Sequence, residues 1–439
     1  MHRPNGGPKS QITDTQFIHE WAEKLAEDGW DVIDASRGRP TYPTDAVGLD
    51  ALVRYAEETR ARGTIPYGTN ALGELSYRTQ VAESFEAYYG MRFNPHNIVF
   101  TPGGQFGLAA SFYSILYKQP GGIFLTPRPW YLNHRELARM VLPMVSEAQR
   151  EIFHPIELMG EHGVGLRAEA VQQAIDTAER PIAGFLFCNP GNPLGNVTRK
   201  QDWLEIAEVL RAHPDVPVML DEAFTEVVFD DDRAVSLLQA APELLSRCFL
   251  FRSGTKALGF PGERLAVMHV PERWLEALNY LQSRWIGNPP LSGQEVMATI
   301  LSQLDSAKLD TITAYYRANA ERLMGYLREL GMELHPDYTP EGGFFTLADF
   351  SRLRGVPMPK RATELLGARA ATMQTDWDIM AALLSGFGQQ DKESLALIPA
   401  SCFGMEAEKC LMRVSFSITA DEIDALRGRL SAMLKALSS

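Results

Sequence analysis

Long apolar runs are missing from these 439 residues. No stretch approaches the roughly 18 consecutive apolar residues a membrane-spanning helix needs, so no span is expected. Cysteine is scarce. Cys188, Cys248, Cys402 and Cys410 are all there is, no two stand as C-x-x-C, and no histidine cluster has metal-ligand spacing, so no metal is expected. Free thiols in a reducing compartment, and hence a cytoplasmic location, are the expectation. Positive charge is also in short supply. Lys plus Arg number 42 against 55 Asp plus Glu, a formal charge of −13. Such a surface repels a phosphate backbone, which argues against a nucleic-acid partner. The opening MHRPNGGPKS is polar and has no apolar centre, unlike a secretory leader. Repeats and low-complexity tracts are absent.

What is present is enough for a large core: 45% of the residues are hydrophobic, in a chain long enough for two or three domains. Gln16 to Asp28 reads as an amphipathic helix, Asp31 to Pro43 as a run of turn formers, and Ala46 to Arg62 as a helix stopped by Gly63. Short, continuously apolar segments then read as buried strands: Asn97–Thr101, Gly122–Thr126, Ala183–Cys188, Val216–Leu220, Cys248–Phe251 and Leu265–Val270. Helical runs fall between them. One is Phe106–Tyr117; another begins after Thr198, which can form a capping box with Gln201. The alternation predicts an α/β fold with a mostly parallel mixed sheet between helices. After about residue 300 the pattern becomes a long helix, Lys308–Leu330, then mixed strand and helix, then a last helix, Ala420–Leu437. The expected division is an N-terminal segment (1–62) packed with the smaller domain, a large domain (63–304) and a small α+β domain (305–439).

Polar residues stand at the ends of several predicted strands, where α/β sheets build sites. Lys256, in SGTKALGFPGER, leaves a buried strand; desolvated and near other cations, a lysine becomes a nucleophilic amine. Ser253 and Arg264 flank it and suit a phosphate. In TPGGQFG, Gly104 and Gln105 begin a helix whose first amides can bind an anion. Asp221 ends an apolar strand and is costly to bury without a cationic partner. Asn192, in CNPGNPLGN, offers a side-chain amide, and Asn192-Pro193 is a candidate cis bond. Tyr131 in TPRPWYLNH offers an aromatic face, and Arg413 in LMRVSFS is a lone cation in an apolar strand. Together these are the parts a pyridine-aldehyde phosphate cofactor requires: an amine, an anion cup, an acid for the ring nitrogen, a donor for the phenolic oxygen and a flat group.

In order, SRGRP, PYGTNALGELSYR, TPGGQFG, PRPWY, NPGNPLG, DEAF, SGTK with an arginine eight positions on, GGFF, PASCFG and RVSFS resemble the fold type I pyridoxal-phosphate enzymes of the aspartate aminotransferase superfamily. The resemblance runs from about Asp34 to about Thr419. It implies the PLP-dependent transferase-like fold and pyridoxal 5'-phosphate held as a Schiff base on Lys256, which also moves a proton at the substrate α-carbon. It assigns Asp221 to the ring nitrogen, Asn192 to the phenolic oxygen, Tyr131 to stacking, and Gly104, Gln105, Ser253 and Arg264 to the phosphate. Tyr67 corresponds to the tyrosine that reaches across a homodimer to the neighbouring phosphate. Arg413 corresponds to the arginine that binds the substrate carboxylate, and Gly38 lies near that group.

Phe224 departs from the pattern: in the cofactor-binding set it stands where most relatives carry a tyrosine that donates to the phenolic oxygen. Gln105 replaces a small hydroxyl residue, the spacing from Tyr67 to Gly73 is one residue longer than the family pattern, and Arg352 to Gln389 exceeds the family norm. The resulting expectation is an aminotransferase of amino-acid metabolism exchanging the α-amino group of a small amino acid with a 2-oxo acid. The alternatives are a lyase or ring-forming enzyme on the same cofactor, like aminocyclopropane-carboxylate synthase or capreomycidine synthase, and a cofactor-binding regulator, disfavoured by the acidic balance.

Overall fold

The structure is a computed structural model and describes residues 14–144, 151–160, 163–230, 236–253, 256–368, 370–386 and 392–438. The opening segment, the Gly254-Thr255 pair beside Lys256, and residues 369 and 387–389 of the long stretch lie outside the described residues.

Seven strands form the central sheet, in the order Ile98–Thr101, Ala266–His269, Cys248–Arg252, Val218–Asp221, Ile182–Cys188, Ile123–Arg128 and Phe153–Glu157. Only Ala266–His269 runs antiparallel to its neighbours; the remaining pairings are parallel. The mostly parallel mixed sheet is as the alternation predicts. The apolar runs follow from their burial on both faces. Phe185, Phe187, Leu220 and Leu250 join one core, while Leu186, Met219 and Phe249 join another.

A second sheet of three antiparallel strands places Leu411–Ser415 between Phe345–Asp349 and Ile398–Pro399. The helix Ala46–Arg62 ends at Gly63, whose φ of 77° is the left-handed cap anticipated there. This helix packs on Leu291–Ser302.

Two local readings need correction. Asp31–Asp34 is not a turn but a strand, pairing in parallel with Glu393–Ala396; a partner so distant in sequence leaves no local periodicity to read. The Thr198–Gln201 capping box does not form. The helix Lys200–Arg211 starts after Arg199, Asn189 Oδ1 already accepts the Thr198 amide at 2.9 Å, and Gln201 donates instead to Glu205 at 2.7 Å. Leu75–Tyr89 adds a helix whose start has no side-chain cap to mark it.

Candidate active site

The parallel strands end along one edge of the sheet, where their loops converge. Ala266–His269 starts at that edge because it runs the other way, with Ala266 opposite Thr101. Arg264, two residues earlier, therefore arrives beside the loop that leaves Thr101. The loops enclose a cavity of about 530 Å3. Every candidate residue lines it except Tyr67, which is 93% exposed and outside it.

Lys256 donates from Nζ to the Gly38 carbonyl at 3.0 Å. Burial, then the charges of Arg264 and Arg413, lower its pKa to about 8, with Asp221 opposing. Far more of this amine is free near neutrality than in an ordinary lysine. The Phe224 ring lies 5.9 Å from Nζ and packs edge-on against Phe344 and Phe345, so this position supplies no hydroxyl.

Asp221 is 6% exposed and its carboxylate faces the cavity. Oδ2 accepts from His134 Nε2 at 2.8 Å and Oδ1 from the Ala223 amide at 3.1 Å. His134 is a site residue that the motif reading misses. It lies one helical turn beyond Tyr131, on the buried face of the amphipathic helix Leu132–Val141, and its ring meets the Tyr131 ring edge-on at 5.1 Å. Only that i+3 spacing hints at it in the sequence. Burial raises the Tyr131 pKa, against hydrogen bonds from Asn133 and Gln105, so Tyr131 stays a neutral phenol.

The anion cup is built from backbone. The helix Gly104–Lys118 begins after Gly103, whose φ is 83°, and no side chain caps its first amides. A Cβ on Gly103 would sit 2.8 Å from Arg264 Nη2, so the guanidinium lies directly over the loop and glycine is required beneath it. Gly104, Gln105 and Ser253 complete this end of the cavity.

Arg413 lines the cavity as well. It is 5% exposed, and burial lowers its pKa to about 10. Nη1 donates to Asn192 Oδ1 at 3.2 Å and Nη2 to the Ser36 carbonyl at 2.5 Å, while Nε has no partner. The Phe345 and Phe403 rings lie 4.0 and 4.8 Å from its guanidinium carbon. No described carboxylate pairs with it. The Asn192-Pro193 bond is cis, as are Asn189-Pro190 and Arg128-Pro129.

Thr15 and His19 reach the cavity from the helix Asp14–Glu27, which the sequence reading treats only as an amphipathic helix. Burial, then Arg37, lowers the His19 pKa to about 4, so the ring is neutral at pH 7.

These groups fit pyridoxal 5'-phosphate. A nucleophilic amine, a buried carboxylate, a flat phenol and a helix start under a guanidinium match the aldehyde, ring nitrogen, ring face and phosphate, and Arg413 remains over for a carboxylate.

The sequence profile described as aminotransferase class I and II matches residues 31–430. An aspartate/prephenate aminotransferase of Nitrosomonas europaea is 22% identical over 419 residues, covering 94% of each chain. An aspartate aminotransferase of Pinus pinaster is 24% identical over 427 residues, covering 96% of this chain and 78% of its own. Among solved structures, the Thermus thermophilus aspartate aminotransferase with maleate superposes with a TM-score of 0.78 at 20% identity, covering 96% and 97% of the two chains. The fold match follows the sheet described above, and the profile spans both the lysine and the arginine ends of the cavity. The chain therefore belongs to the aminotransferase class I and II family, the fold type I enzymes that work with pyridoxal 5'-phosphate.

Proposed function

We propose that this aminotransferase takes the α-amino group from a small amino acid and delivers it to a 2-oxo acid in amino-acid biosynthesis, with Lys256 and Arg413 as its working pair. One observation carries the reading. Both side chains are tied to the same short segment, Lys256 to the Gly38 carbonyl and Arg413 to the Ser36 carbonyl. A carboxylate held on the Arg413 guanidinium therefore brings the adjacent α-carbon toward the amine.

Pyridoxal 5'-phosphate, when bound, supplies an aldehyde for the amino group and a cationic ring that withdraws electrons. The chain's own residues do the rest. Lys256 holds the cofactor and then, as a free amine of lowered basicity, takes a proton from the substrate α-carbon and returns it. Asp221, fixed by His134, keeps the ring nitrogen protonated. Asn192 offers its Nδ2 to the phenolic oxygen while its Oδ1 accepts from Arg413. Tyr131 covers the ring. Gly104, Gln105, Ser253 and Arg264 bind the phosphate. Phe224 leaves the phenolic oxygen one donor short, which shifts electron density relative to a tyrosine-bearing site.

The reading includes a homodimer in which Tyr67 reaches the partner's phosphate. The near-complete exposure of Tyr67 and the 74% exposure of Ile65 beside it support this. It also includes a large part and a small part divided near residue 304, and a cytoplasmic location, supported by the absence of a disulfide among the four described cysteines.

The test uses the loaded enzyme and single amino acids. The expected result is one equivalent of 2-oxo acid per site without an acceptor, and continuous turnover once a second 2-oxo acid is added. Ammonia with vinyl or cyclic products, formed with no acceptor, would instead establish the lyase or ring-closing reading.

A further inference from the structure

The long stretch from Arg352 to Gln389 has no role in the chemistry so far, yet its helix Asp376–Leu384 touches the cavity wall at one remove. Asp376, at the start of that helix, is 0% exposed. Its Oδ2 accepts the Ser401 amide at 2.7 Å and its Oδ1 accepts the Ser401 hydroxyl at 3.0 Å. Both oxygens thus reach one residue of the tight turn Ala400–Phe403, and the Trp377 amide donates to the same carboxylate. Capping does not require this acid, because Thr375 and Asp378 already form a reciprocal capping box at the same helix start. A buried carboxylate without such bonds would be costly, so the turn and Asp376 hold each other.

The turn leads directly to the site. Phe403, its last residue, is 0% exposed and lies against the Arg413 guanidinium at 4.8 Å. The Phe403 carbonyl accepts the Trp130 amide at 3.1 Å, next to Tyr131. Gly404 is seated on the Trp130 ring so closely that a Cβ there would collide with it. The neighbouring Trp377 meets Phe17 edge-on at 6.5 Å, on the helix that brings Thr15 and His19 to the cavity.

We propose that Asp376 is a positioning residue: through Ser401 it sets Phe403 against Arg413, and so fixes the guanidinium that receives the substrate carboxylate. This rests on the reading of Arg413 given above. Asp376 touches neither substrate nor cofactor, so its loss should disturb substrate affinity and leave cofactor binding intact.

The test is steady-state kinetics on the loaded enzyme, with cofactor affinity measured alongside. Asp376→Ala should raise KM for the amino acid about tenfold, with kcat within about threefold and cofactor affinity unchanged, as expected for a displaced binding group. Asp376→Asn, which keeps one acceptor, should fall between the two and serves if the alanine variant does not fold. Phe403→Leu should raise KM similarly, and the double variant Asp376→Asn with Phe403→Leu should add less than the product of the two, because both act through one contact. Unchanged KM in a folded Asp376 variant, or effects that multiply independently, would overturn the proposal. Arg413→Leu separates the two readings. If it leaves KM unmoved, the Arg413 assignment itself fails; if it raises KM while Asp376 and Phe403 variants do not, only this inference fails.

Discussion

Arg252 and Arg413 are both buried, at 2% and 5% exposure, and both line the same cavity, but their surroundings differ in kind. Arg252 belongs to a closed cluster. It pairs with Glu226 at 2.5 Å, donates to Tyr89 at 2.7 Å and lies 4.5 Å from the Tyr88 ring centroid. Tyr89 in turn donates to Glu222 at 2.5 Å. Burial opposes the charge of Arg252, yet Tyr89, Glu226, Tyr88 and Glu222 outweigh it and raise its pKa. Around Arg413 burial wins, because only weaker influences from Tyr131, Cys402 and Asp34 oppose it. Among the described residues, a carboxylate pairs with Arg252 and none pairs with Arg413. A buried cation left without an anion is expensive, whereas Arg252 has Glu226 against it. That contrast supports the role proposed for Arg413 as the position that receives a ligand carboxylate.

Removing each arginine tests the contrast most severely. Arg413→Leu should lower kcat/KM by about 30- to 4,000-fold, the roughly 2–5 kcal/mol cost of losing one partner of a buried charge pair. The unfolding midpoint of its cofactor-free form should stay unchanged or rise. Arg252→Leu should do the reverse to stability, costing about 3–5 kcal/mol because Glu226 is stranded. Urea unfolding beside steady-state kinetics reads both, and equal stability losses would erase the distinction.

Within the closed cluster the two acids should also separate. Glu226→Gln removes the direct counter-charge of Arg252 and should cost about 3–5 kcal/mol. Glu222 has its pKa raised by burial, against the pull of Arg252 and of hydrogen bonds from Ser236 and Tyr89. Glu222→Gln keeps an oxygen that can accept from Tyr89 and should cost about 1 kcal/mol, less than Glu226→Gln. A raised folded-state pKa contributes stability below the ordinary carboxyl value, and that contribution is lost as pH rises through the folded value. Wild-type protein should therefore lose this increment as pH rises above about 4.5, and the Glu222→Gln protein should not. Unfolding midpoints across pH check it.

The open region has its own pH signature. With the Lys256 pKa lowered to about 8, uptake of pyridoxal 5'-phosphate by cofactor-free protein should speed up through about pH 8 and then level off. An increase continuing toward pH 10 would mean an ordinary lysine. The smallest expected effect is at Phe224: Phe224→Tyr adds a donor without changing the fold, and should shift the pH dependence of turnover rather than abolish activity.

Strands such as Ile182–Cys188 were legible because burial on both faces writes an unbroken apolar run. The ends of the site were legible because their residues keep a fixed order along the chain. What escaped depends on contacts between distant segments. His134 is identified by its bond to Asp221, 87 positions on, and Asp376 by its two bonds to Ser401. Beyond the i+3 spacing of His134 from Tyr131 neither is marked locally, since a buried histidine or a helix-start aspartate is ordinary until its partner is known. Thr198 shows the opposite error, a local capping signal overridden when the Asn189 side chain claimed its amide.

In the proposed function Lys256 is the residue that captures the cofactor. Loading the protein with pyridoxal 5'-phosphate, reducing it with borohydride and mapping the peptides should place one pyridoxyl group per chain on Lys256. A label on other lysines, or a Lys256→Ala protein that binds and turns over as well as the wild type, would contradict it.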